Sequence, residues 1–180
     1  MLAGEVLGID LPQSDKRLFT IVETDGCAID GISIATNCWV GRRTLRIEDY
    51  GKVAATFVDT QTNRAVRIAP RHSVRETARC YAPEACNKWE AQLLGYQRIR
   101  AEDLLSSQVV HLNISIEQII SRAGKKAICD LCGEEILNAR EIVHSGLTFC
   151  RGYAGASYYH LVAEFAPTPI TLREPVMPVV

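Results

Sequence analysis

Three thiols towards the C-terminal end of the chain have the spacing of metal ligands. In CDLCGEEILNAREIVHSGLTFCRGY, residues 129–153, Cys129 and Cys132 form a C-x-x-C knuckle, and seventeen residues separate Cys132 from Cys150. Zinc takes four sulfur, imidazole or carboxylate donors in a tetrahedron, and a C-x-x-C turn presents two thiolates on one tight bend. Gly133, directly after the second cysteine, allows the chain to leave the bend with a positive φ. A second pair about 15–20 residues on is the usual complement, but Tyr153 stands where its last cysteine belongs. The fourth donor is open between His144, Tyr153, Asp130, His160 and a water. A phenol of pKa ~10 is a poor ligand unless the metal itself lowers that value. Water in the fourth place makes a site more labile than a closed structural ribbon. The bland alternative is a ribbon that has lost its metal and survives on packing. A thioredoxin-like reading of the C-x-x-C lacks the surrounding βαβ pattern.

A second concentration of reactive residue types lies in ETDGCAIDGISIATNCWVGRRTLRIEDYGKVAATFVD, residues 23–59, which carries Glu23, Asp25, Cys27, Asp30, Cys38 and Asp49. A cysteine in the first turn of a helix has its thiolate favoured by the helix dipole. Cys27 fits that position better than Cys38, although buried unreactive cysteine is common.

The elements that must position these groups follow from periodicity. MLAGEVLGID reads as the last turns of a helix ended by Gly8, and KRLFTIVE (16–23) reads as a buried strand. Asp25 is a plausible N-cap for a helix with apolar residues at 28, 29, 32 and 35. TLRIED (44–49), GKVAATFVD (51–59) and RAVRIAP (64–70) read as an antiparallel meander. From Ser73 to Arg100 the pattern is helical with a break at Pro83, and Trp89, Leu93 and Tyr96 recur at the spacing of one buried face. A short acidic helix around AEDLLSS and a strand over 108–116 complete the main domain, and SRAGKK (121–126) suits a linker. Prolines 167, 169, 175 and 178 forbid a continuous helix in the tail. The expectation is an α+β core domain over 1–120 with antiparallel strands and helices. A small zinc ribbon over 126–160 and an extended Pro-rich tail over 161–180 follow it.

Composition narrows the function classes. With 180 residues, 47% hydrophobic, the chain can bury one good core and carry an appendage. A formal charge of −1 offers no large basic footprint, so nucleic acid is not an expected partner. No apolar run reaches the ~18 residues of a membrane span, and the first residues lack a signal-peptide pattern, so a cytoplasmic, membrane-free protein is expected. Seven cysteines in such a chain point to metal or thiol chemistry rather than a disulfide framework. Arg71, Arg75 and Arg79 at four-residue spacing, with Arg64 and Arg67 before them, form a solvated basic face or an anion-docking one. Cys80 and Cys86 suit a helical core, and His72 and His111 suit ordinary core or surface positions.

The sequence resembles the FmdE family, named after the E gene of formylmethanofuran dehydrogenase operons. The resemblance rests on ETDGC with Asp30 three residues later, on ATNCWVG, on RTLRIEDYGKVAATF and on CDLCGEE, and it spans roughly residues 1–160. It implies an FmdE-type α+β core followed by a zinc ribbon, commonly as a homodimer. It also implies a core metal site in which Cys27 joins an N-terminal His/Cys motif of the H-G-H-x-C-P-G kind. The chain has no histidine before His72 and no cysteine before Cys27, which implies a start codon placed too late or a shortened member, with the core site incomplete. Asn37 stands where the family tends to have glycine, and Asn tolerates similar backbone angles.

The function these readings imply is a zinc-binding accessory protein with metal ligands Cys129, Cys132, Cys150, His144 and Cys27, serving a molybdenum/tungsten or other redox enzyme. One rival is a thiol- or metal-dependent enzyme using Cys27 with Asp25, Asp30 or Asp49. Another is a regulatory zinc finger of the DksA/TraR type.

Overall fold

The strand LFTIV is apolar on both faces, and the structure covers both. The computed structural model describes residues 2–120, 122 and 124–162. The tail expected over 161–180 lies, from residue 163, outside the described residues, as do Ser121 and Ala123 of the expected linker. The chain divides into two compact units, residues 1–121 and 122–180, and its architecture is α+β.

In the first unit, helix α1 (Leu2–Leu7) ends at Gly8, whose φ of 71° requires glycine's freedom, and β1 (Leu18–Val22) follows. Helix α2 (Ala28–Thr36) closes on Asn37 at φ 59°, so the asparagine does make the left-handed turn. Then come β2 (Leu45–Ile47), β3 (Ala55–Asp59) and β4 (Ala65–Pro70). Helices α3 (Val74–Tyr81), α4 (Lys88–Arg98) and α5 (Ala101–Leu104), strand β5 (Leu105–Val110) and helix α6 (Ile116–Ile119) complete the unit.

The sheet order is β2-β1-β3-β4-β5. The expected meander is corrected at one strand. β2 runs parallel to β1, Thr20 facing Leu45, while β1, β3, β4 and β5 are antiparallel neighbours. Helix α2 supplies the crossover that a parallel pair needs, so β1–α2–β2 is one unit and β2 takes the free edge of β1. The strand expected over 108–116 is corrected at both ends, since β5 begins at Leu105 and stops at Val110, and Ile116 already belongs to α6. β5 pairs along all of β4, from Pro70–Leu105 to Ala65–Val110.

Side-chain alternation then makes two cores. Leu18, Val22, Phe57, Val66 and Ile68 pack with Ala3, Leu7 and Ile32 on the α1/α2 face. Phe19, Ile21, Val58 and Ala65 pack with Val110, Leu112, Ile116, Ile119 and Ile120 on the other. Helices α3 and α4 form a hairpin with its own small core of Val74, Ala78 and Ile99. Asn87 caps α4 by accepting from the Glu90 N–H at 2.9 Å, and the Glu90 carboxylate accepts from the Cys86 N–H, a reciprocal cap. Of the expected buried face of Trp89, Leu93 and Tyr96, Tyr96 does pack against this small core, but the other two are corrected. Trp89 is 72% and Leu93 45% exposed, and the packed residues are Ala91 and Gly95. A Cβ on Gly95 would stand 2.4 Å from the Ala78 carbonyl oxygen, so the helices meet backbone to backbone and the small residues define the face. Cys80 and Cys86, expected in a helical core, are exposed.

Candidate metal centre

The second unit is built from two short hairpins. Strands β6 (Lys126–Ile128) and β7 (Glu135–Leu137) flank the first knuckle, and β8 (Ile142–His144) pairs with β9 (Leu147–Phe149), which leads into Cys150. The knuckle closes through Gly133 N–H to Cys129 O at 2.9 Å and Cys129 N–H to Glu134 O at 3.0 Å. Gly133 has φ 75°, as a glycine leaving such a bend must. Asp130 joins the hairpins, its N–H donating to Thr148 O at 2.8 Å and its carboxylate accepting from Thr148 N–H at 2.6 Å.

These bonds bring the Sγ atoms of Cys129, Cys132 and Cys150 within 4.8 Å of one another. The Cys150 N–H donates to Cys129 Sγ at 3.4 Å. Hydrogen bonds from the Cys132 N–H, then from those of Cys150 and Leu131, hold the Cys129 thiol down at about 7 against its burial. Cys132 goes the other way. The Glu134 N–H on its sulfur favours the thiolate, but burial and the neighbouring Cys129 and Cys150 thiols outweigh it and push Cys132 up to about 11. Three thiols this close do not ionise together without a positive charge between them, and a divalent cation supplies one. The donor set therefore fits a soft or borderline metal such as zinc.

The other candidates fall elsewhere. His144 stands opposite Leu147 beside the Ser145–Gly146 turn, whose φ values of 52° and 79° suit a two-residue hairpin. Cys150 follows Phe149 at the other end, so about 10 Å of strand separates the two, and His144 is not in the thiol group. Tyr153 lies near the sulfurs. Desolvation first, then the charges of Cys132, Tyr159, Cys129 and Cys150, raise its phenol. His160 is exposed.

In the first unit, Cys27 is exposed and is itself the N-cap of α2, a place expected for Asp25, and its side chain makes no cap hydrogen bond. Among the described residues no second group of three His, Cys, Asp or Glu donors gathers around it. Its neighbours in sequence have other work. Glu23 pairs with Arg67 through two hydrogen bonds of 2.6 and 2.8 Å, Cys38 is buried with Sγ 3.5 Å from Leu18 O, and Asp49 accepts from the Gly51 N–H. A cavity of about 370 Å³ lies between α2 and the sheet, lined by Ala28, Ile32, Phe57, Ile68 and Leu105 among others, with no charged side chain in its wall.

Sequence reasoning passed over two carboxylates of the second unit. Glu134 Oε2 is 3.7 Å from Cys132 Sγ. Glu141 precedes Ile142, the partner of Phe149, and so stands opposite Cys150 if the pairing continues one step; its Oε2 is buried without a hydrogen-bond partner. Residue spacing alone held no signal for either, since it does not say which way a side chain outside the cysteine motif folds.

Comparison with known proteins adds three findings. A family model described as FmdE, molybdenum formylmethanofuran dehydrogenase operon, matches residues 1–113. A crystal structure of a tungsten formylmethanofuran dehydrogenase FmdE-like protein from Syntrophus aciditrophicus superposes with a TM-score of 0.53 at 21% identity, covering 88% of this chain and 80% of that one. A protein of Archaeoglobus fulgidus described as a probable S-adenosyl-L-methionine-binding protein is 32% identical over 71 residues, 38% of this chain. The matched stretch is 19% of that relative's length.

Proposed function

The chain belongs to the FmdE family, and from that premise we propose that it is a cytoplasmic, homodimeric zinc-binding accessory protein serving a molybdenum/tungsten or other redox enzyme. Cys129, Cys132 and Cys150 hold the zinc, and Cys27 is this chain's contribution to a second site in the core unit. The observation that carries the reading is the convergence of three sulfurs within 4.8 Å on a folded knuckle. The free state of all seven cysteines suits a reducing compartment. Among the described residues no helix is long and apolar enough to cross a membrane. Zinc in this place is structural and supplies cross-linking charge rather than a reaction.

The test is elemental analysis of protein purified without oxygen or chelator, beside Cys150→Ser and Cys27→Ser variants. About one zinc per chain, lost in Cys150→Ser, is expected. Metal-free wild type, or a Cys150→Ser variant that keeps its zinc, sinks the reading. Any further metal that disappears with Cys27→Ser alone belongs to the core site.

A further inference from the structure

We propose that Glu134 is the fourth donor, so that the centre is a three-thiolate, one-carboxylate site; this rests on the metal-binding reading above. A tetrahedral metal with sulfur at ~2.3 Å and carboxylate oxygen at ~2.0–2.2 Å has sulfur–oxygen edges of about 3.5–3.7 Å. Glu134 Oε2 already stands 3.7 Å from Cys132 Sγ. The backbone explains the placement. Gly133 turns with φ 75°, the Glu134 N–H is aimed at Cys132 Sγ, and the side chain follows it back over the sulfur. Its carboxylate stands outside the mutual cluster of the three sulfurs, so closing the tetrahedron requires this exposed side chain to rotate from Cys132 towards Cys129 and Cys150.

The competing donors are worse placed or worse suited. His144 is at the far end of its hairpin, and Asp130 is engaged by the Thr148 N–H. Glu141 is the serious rival, because its unpartnered oxygen is buried near the Cys150 end of the hairpin. Its hairpin position is set by strand pairing, however, while Glu134 sits on the knuckle itself. Exposure adds a consequence. Cys129 is buried and Glu134 is exposed, so the carboxylate is the donor that can swing out and leave a position for a ligand from a partner.

The experiment titrates the full chain with zinc and with cobalt(II) against a competing chelator, for wild type, Glu134→Gln, Glu141→Gln, Tyr153→Phe and the double variant Glu134→Gln/Tyr153→Cys. Glu134→Gln should weaken zinc binding by at least the ~10- to 100-fold that loss of a group merely orienting a ligand costs, with circular dichroism unchanged. Glu141→Gln and Tyr153→Phe should bind as wild type. In the double variant the restored C-x-x-C should recover tight binding, and the cobalt charge-transfer absorbance should rise by about one third, as a fourth thiolate joins three. Wild-type affinity in Glu134→Gln, or the loss appearing in Glu141→Gln or Tyr153→Phe instead, overturns the assignment. If wild type binds neither metal, or Cys150→Ser binds as wild type, the metal reading itself falls and this one with it.

Discussion

Asp59 receives four hydrogen bonds on one buried carboxylate. Arg17 donates through Nε at 3.1 Å and Nη2 at 2.9 Å, the Gln61 N–H at 3.0 Å and the Thr62 hydroxyl at 3.0 Å. The group ties the start of β1 to the β3–β4 turn. The Arg17 hydrogen bonds, working against burial, hold its carboxyl at about 2 against an ordinary 3.8. The folded value is depressed, so the stability it contributes is fully present above pH 3.8 and is lost as pH falls through about 2. At ~1.4 kcal/mol per unit, that amounts to about 2 kcal/mol. Urea unfolding followed by tryptophan fluorescence reports this unit alone, because both tryptophans, Trp39 and Trp89, lie in it. Asp59→Asn should lose about 2 kcal/mol at pH 7 and show a flatter decline between about pH 4 and 2. A variant whose decline parallels wild type would show that the ion pair is not what acid removes. At the same scale, legible chemistry separates from illegible. The knuckle cysteines could be read from sequence because two ligands sit three residues apart on one local turn. Glu134 could not, because nothing in residue spacing says which way an exposed side chain folds.

Among the elements, the α3–α4 hairpin carries a reversal of an ordinary rule. Alanine for glycine inside a helix normally stabilises by about 1 kcal/mol. At Gly95 the added Cβ would meet Ala78 backbone atoms at 2.4–2.9 Å, so the helices must part, at a cost of about 1–3 kcal/mol. Gly95→Ala should therefore destabilise the unit, while Gly31→Ala in α2, which has nothing within 4 Å, should be neutral to stabilising. Denaturant midpoints of the two variants, read by tryptophan fluorescence, check both signs, and a stabilised Gly95→Ala would refute the close contact. The hairpin also shows why the sequence pattern misleads over α4. Trp89 and Leu93 set the apolar period, but the contact with α3 is decided by which residues are small enough to let backbones meet. The buried strand β1, the turns at Gly8 and Gly133 and the family itself were legible, since each is a local pattern or a long motif. The partner of β2 was not. Alternation fixes which face a strand buries, while its neighbour depends on whether the connection is a hairpin or a helical crossover, and the α2 pattern between β1 and β2 was the clue.

The two units differ in what holds them together. The first has three hydrophobic clusters and a five-stranded sheet whose strands β1 and β3 are buried along their whole length. In the second, strands are three residues long, and among its described residues only Cys129 and Ile136 are buried apolar side chains. So little buried apolar surface cannot by itself offset the conformational entropy of ordering the unit. A small unit without a core requires a cross-link, and among the described residues the thiol cluster is what can provide one. Chelation should therefore melt the second unit and leave the first intact. In hydrogen exchange, amides of 126–149 should lose protection when a strong chelator is added and regain it with zinc. Those of β1 and β3 should stay protected throughout, and the tryptophan-monitored midpoint should not move. Retained protection of both hairpins in metal-free protein would mean that packing alone holds the ribbon, and that the three thiols are not its fastening.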